Sequence, residues 1–189
     1  MIQFQSTMKL GFEQIIEILK TRGHEQYGQE NVSQLEHALQ SATLAQSNDA
    51  SSELITACLL HDFGHLIHQW GEDAAIRGID DRHEYCALPF LSLLFSSAVT
   101  EPIRLHVAAK RYLCITNSEY WQTLSPASQH SLNLQGGIFS PDEATTFINH
   151  PYAKDAIKLR IWDDQAKQVN YSTPSLEDFI PTLQACLKS

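Results

Sequence analysis

The sequence predicts an all-α fold, a helical bundle. Apolar residues recur at helical spacing along most of the chain, and alternating β-branched runs are scarce. Its 189 residues, 43% of them hydrophobic, suit a single domain over 1–189 with room to bury a pocket.

The elements follow in order. Phe12, Ile15, Ile16 and Leu19 make one helical stripe, closed by Gly23, and the polar and aromatic stretch from His24 to Asn31 reads as a loop. Ser33 with Glu36 three residues later is a capping box, predicting a helix that carries His37 and ends near Asn48. The next helix is expected from about Ser52 through Asp62. The pattern then weakens between Gly64 and Asp81, which predicts an irregular connection, and His83 opens a helix through Leu94. Thr100, Glu101 and Pro102 are expected to start a helix running through His106 to about Leu113. The stretch SPASQHSLNLQGG reads as a short helix stopped by Gly136 and Gly137. Ser140, Pro141 and Glu143 combine an N-cap, a first-turn proline and a capping-box acid. Pro151 opens a long helix bearing Asp163, and a last amphipathic helix from Ser175 is expected to be interrupted by Pro181.

The formal charge of -9, with 13 scattered Lys and Arg, argues against nucleic acid as a partner, because phosphate backbones need clustered cations. An anionic substrate must therefore be held locally. The four cysteines, Cys58, Cys86, Cys114 and Cys186, form no CxxC pair, which disfavours a zinc ribbon or a disulfide framework. The N-terminal segment has no signal-peptide pattern and no stretch approaches a membrane span, so no membrane association is expected. A cytoplasmic protein with reduced thiols is the expectation.

The chemistry lies in six side chains, His37, His61, Asp62, His83, His106 and Asp163, arranged as H…HD…H…H…D. A single zinc or iron site takes three or four protein ligands, so six point to two ions sharing a bridge. With Asp62 as that bridge, His37, His61 and Asp163 suit one metal, while His83 and His106 suit the other and leave it open positions. The HD pair ends an apolar run, LITACLLHD, where an unpaired carboxylate is costly. Imidazole and carboxylate without thiolate suit iron, manganese or zinc. His65 and Lys110 each lie one helical turn after a candidate ligand, His61 and His106, and so share a face with it. The remaining histidines, His24, His68, His130 and His150, are assigned no role.

H…HD…D resembles the signature of the HD-domain superfamily, an all-helical fold, and the two intercalated histidines resemble its dinuclear branch. Within that branch the chain is similar to the PhnZ-like mixed-valence di-iron oxygenases over nearly its whole length. The likeness rests on QYGQENVSQLEHALQ, ACLLHDFGH, the later histidines and RIWDDQ. The resemblance implies two Fe ions as cofactor in the Fe(II)/Fe(III) state. It implies O2 and a small organophosphonate as substrates, with oxidative cleavage of the C–P bond of a 1-hydroxyphosphonate. 2-Amino-1-hydroxyethylphosphonate, giving glycine and phosphate, is the example. It also implies that Tyr27 occupies a metal position until substrate displaces it, with Glu30 as acidic partner. His65 and Lys110 would hold the phosphonate, and Ser128 would add a hydroxyl. The alternative function is an HD-domain phosphohydrolase acting on a nucleotide or phosphate monoester through a metal-bound hydroxide.

Overall fold

Burial on every side makes one short apolar helix the centre of the fold. Leu54 through Leu60 are all buried in α3 (Ser52–Leu60), as a helix apolar all round must be. The structure, a computed structural model, describes residues 10–68 and 77–188. Among these are twelve helices and, apart from two isolated bridges, no β structure. The chain is a single all-α domain.

Four helices enclose α3. In α2 (Gln34–Ser47), the Ser33 Oγ accepts from the Glu36 amide at 3.2 Å and the Glu36 carboxylate accepts from the Ser33 amide at 2.7 Å, completing the capping box. α7 (Ser97–Thr116) and α11 (Ala153–Gln165) pack on each other and on α3, and α12 (Leu176–Ala185) covers another side. α1 (Phe12–Arg22) adds Ile15, Ile16 and Leu19 to the same core. α10 (Pro141–Ile148), with its Ser140–Glu143 capping box, packs Phe147 into a second cluster with Leu105, Ala109 and Ala156. α9 (Pro126–Leu134) seats Leu132 beside Tyr120 and Cys114.

Several elements differ from the sequence expectation. The helix expected through Asp62 stops at Leu60. His61 caps it, and Asp62 leaves helical geometry at φ -101°, ψ 10°. A short α4 (Phe63–Ile67) follows where an irregular connection is expected; residues 69–76 of that connection lie outside the described residues. The helix expected from His83 to Leu94 is two pieces, α5 (His83–Cys86) and α6 (Leu88–Leu94). Pro89 has no N–H to offer the Tyr85 carbonyl, so the helix breaks at Ala87. The reverse holds for α7, which starts at Ser97 with Pro102 inside it, and for α12, which continues through Pro181. Each proline forfeits one bond near a helix start, and in α12 the deprived Glu177 lies on the solvent face. A short α8 (Tyr120–Thr123) has no periodic signal in the sequence.

Candidate metal centre and anion-binding cleft

The break after α3 positions the centre. Successive residues on a continuous helix point about 100° apart. With the chain leaving the helix at Asp62, the His61 ring and the Asp62 carboxylate reach one point, 3.3 Å apart. α2 brings in His37, α5 His83, α7 His106 and α11 Asp163, and all six side chains are buried.

Their atoms sort into two groups about Asp62. Its Oδ2 lies 3.3 Å from His61 Nε2 and 3.6 Å from His37 Nε2, while Asp163 Oδ1 lies 3.3 Å from His37 Nε2. Its Oδ1 lies 3.3 Å from His83 Nε2 and 3.7 Å from His106 Nε2, and those two nitrogens are 3.1 Å apart.

The opposite nitrogen of every ring is fixed. His37 Nδ1 donates to the Ala166 carbonyl at 2.8 Å, His61 Nδ1 to Cys58 O at 2.8 Å, His106 Nδ1 to Ile103 O at 2.7 Å, and His83 Nδ1 to Asp81 Oδ1 at 3.0 Å. That leaves each Nε2 atom turned inward, as a metal-binding imidazole requires. Asp62 Oδ1 and Asp163 Oδ1 are buried with no hydrogen-bond donor, a costly state that a cation would relieve. The donor set therefore fits a metal centre of two positions, one with His37, His61 and Asp163, the other with His83 and His106, both facing Asp62.

The two acids stay ionised and His106 stays neutral. Burial pushes the Asp62 carboxyl up, but the His61 charge and hydrogen bond, then His83, outweigh it and hold it well below its usual range. Asp163 likewise stays ionised against burial, chiefly through Arg160. Burial, then the neighbouring His83, keeps His106 well below its ordinary value, so it is neutral with a lone pair to give.

Tyr27 sits over this centre. Its loop is a tight turn, with the Tyr27 amide donating to Val32 O and the Glu30 amide to Tyr27 O, both at 2.9 Å, and Gly28 takes the left-handed φ of +52° that a side chain would resist. The Tyr27 ring stacks on His37 at 3.9 Å between centroids. Burial, then the charges of Asp62 and Asp163, push the phenol well above its ordinary value, so it stays protonated. Glu30 lies 3.7 Å from Lys167 Nζ, and its Oε1 has no hydrogen-bond donor.

A cleft opens beside the two metal positions, lined by Tyr27, Glu30, His65, Lys110, Ser128 and Arg160 among others. Lys110 is 2% exposed and donates to Ser131 Oγ at 2.8 Å; burial, then the nearby Arg160, push its ammonium down to about 7. Ser128 Oγ receives Lys167 Nζ at 3.2 Å and Arg160 Nη2 at 3.5 Å. Arg160 is itself buried and bonded to Asp163, Asp164 and Tyr120. His65 stacks on His83 at 4.1 Å and reaches Asp81 Oδ2 at 3.0 Å. It sits on α4 rather than on a continuation of the His61 helix.

All eleven expected site residues thus lie at this centre or its cleft. Sequence reasoning missed Arg160, Lys167, Ser131 and Asp81. Arg160 lies three residues before Asp163 on α11, a spacing that signals a shared face, whereas Lys167 lies past the helix's end at Gln165. His68, assigned no role, meets Asp81 Oδ2 at 3.1 Å.

No family model matches the chain. It is 43% identical over 175 residues to a protein of Gimesia maris named hydroxymethylphosphonate dioxygenase, covering 92% of this chain and 87% of that protein. It is 41% identical over 167 residues to a protein of Leisingera caerulea named [1-hydroxy-2-(trimethylamino)ethyl]phosphonate dioxygenase (glycine-betaine-forming), covering 88% and 85%. With identity of this degree over nearly the whole sequence, the chain belongs to the PhnZ-like family of phosphonate dioxygenases.

Proposed function

We propose that this protein is an O2-dependent oxygenase that cleaves the carbon–phosphorus bond of a 1-hydroxyphosphonate, such as 2-amino-1-hydroxyethylphosphonate. In balance, R–CH(OH)–PO3H2 and O2 give R–COOH and phosphoric acid, so the aminomethyl side chain yields glycine. The observation that carries the reading is the adjacency of a bridged two-metal donor set and a cationic cleft, in a chain whose relatives are named for hydroxyphosphonate oxygenation.

Two irons, held by His37, His61 and Asp163 and by His83 and His106 with Asp62 shared, would supply the one-electron chemistry that activates dioxygen and opens the substrate's C–H bond. The chain's own contribution is positional. Lys110, Arg160 and Lys167 offset the phosphonate charge, Ser128 and His65 offer hydrogen bonds to its oxygens, and Tyr27 covers the His37 side of the centre until substrate arrives. Val107, Ala127 and Leu134 give the cleft an apolar wall that limits water. Glu30 is the acidic partner of the Tyr27 loop and lines the cleft, where its carboxylate would favour a substrate amine.

The test is to load anaerobically purified protein with iron, add 2-amino-1-hydroxyethylphosphonate or hydroxymethylphosphonate, admit air and follow phosphate. Phosphate release confined to the aerobic arm supports the reading. Equal release of phosphate from a phosphate monoester or nucleotide under argon would favour the phosphohydrolase instead.

A further inference from the structure

One carboxylate outside the two-metal donor set receives three imidazoles. Asp81 Oδ1 accepts from His83 Nδ1 at 3.0 Å, on the ring whose Nε2 faces Asp62. Asp81 Oδ2 lies 3.0 Å from His65 Nδ1 and 3.1 Å from His68 Nε2. The 3.3 Å approach of those two ring nitrogens follows from their sharing one acceptor oxygen. His65 also stacks on His83, with 20° between ring planes, so the two rings are tied both face to face and through Asp81.

The main chain fixes the carboxylate from below. The His83 amide lies 3.3 Å from Asp81 Oδ1, and Arg82 between them takes the left-handed region at φ 50°, folding the Asp81 side chain back over the start of α5. A non-glycine residue in that region costs free energy, which the surrounding bonds must offset. Asp81 lines the cleft together with His65 and His83. Its two oxygens thus divide their work: Oδ1 serves a residue of the second metal position, Oδ2 serves the cleft side chain next to it.

We propose that Asp81 is a positioning residue that sets His83 for the second metal position and His65 for the phosphonate with a single carboxylate, with His68 steadying the Oδ2 side. The inference rests on the function proposed above for its substrate arm. Its metal arm does not depend on that reading.

Three variants test it in iron-loaded full-length protein. Asp81→Asn has one acceptor oxygen where three rings need two, and is expected to raise KM for the hydroxyphosphonate at least tenfold and to weaken the second of the two metal equivalents about 10–100-fold. Asp81→Glu keeps both acceptors and is expected to recover part of each loss. His68→Gln touches only the Oδ2 side and is expected to raise KM severalfold with two metal equivalents retained and kcat little changed. It also keeps the idea testable should Asp81→Asn fail to fold. Unchanged KM and metal content in Asp81→Asn would overturn the proposal. So would a third metal equivalent in the native protein that His68→Gln removes, because the triad would then be an ion site. If the native protein releases no phosphate from any hydroxyphosphonate, the functional reading has failed, and metal titration of Asp81→Asn still decides the His83 arm.

Discussion

A methyl group placed on Gly64 would lie 2.1 Å from the carbonyl oxygen of His83. The α4 backbone therefore touches the α5 backbone directly, and this contact holds His83 beside Asp62. Gly64→Ala must push the two short helices apart, because the obstructing atoms are main chain and cannot rotate away. The expected outcome is a loss of metal from the His83–His106 position of tenfold or more in affinity, with the His37–His61–Asp163 position retained. Metal titration followed by elemental analysis checks it.

Asp62 faces both positions with different oxygens, so Asp62→Ala removes a donor from each. Metal content is expected to fall at both positions and turnover to drop below one hundredth of the native rate. Full metal content in this variant would contradict the bridging assignment.

Lys110 carries the pH dependence. Its ammonium is pushed down to about 7, so the charge available to a phosphonate is complete below that value and is lost as pH rises through it. In the free protein, kcat/KM is expected to decline above pH 7, and Lys110→Arg, whose side chain stays charged, is expected to flatten that alkaline limb. Lys110→Ala should keep both metals and raise KM. A pH profile of kcat/KM for the three proteins decides the matter.

Arg160 is expected to matter for stability as much as for substrate. It is buried, with Asp163 2.7 Å away and Asp164 and Tyr120 also bonded to it. Arg160→Met leaves the buried Asp163 carboxylate without its guanidinium, an effect of about 3–5 kcal/mol in comparable pairs. For a chain of this size that corresponds to a fall in Tm of roughly 6–20 °C, measurable by calorimetry.

Tyr27 gives a prediction of opposite sign. Its ring covers His37 where substrate is expected to bind, so Tyr27→Ala removes a stack that substrate must displace. An aromatic stack of this kind is worth about 0.5–1.5 kcal/mol, so anaerobic substrate affinity is expected to rise roughly two- to tenfold. Calorimetric titration checks the direction.

The helices and the candidate metal donors are legible in the sequence because both leave local marks. Ser33 with Glu36 and Ser140 with Glu143 state helix starts within four residues, and LITACLLHD places an acid and a base at the end of an apolar run. What is not legible depends on tertiary contact. That Asp62 leaves the helix, that Pro89 breaks one helix while Pro102 and Pro181 do not, and that Lys167 turns into the cleft all follow from packing between distant segments. Asp81 shows the limit most clearly: nothing in GIDDRHE separates it from Asp80, yet in the fold it gathers three histidines.

The most direct test of the central claim is simultaneous measurement of oxygen uptake and phosphate release by the iron-loaded protein turning over a 1-hydroxyphosphonate. One O2 consumed per phosphate, with both ceasing under argon, is the predicted result. Phosphate produced at an undiminished rate without oxygen would contradict it.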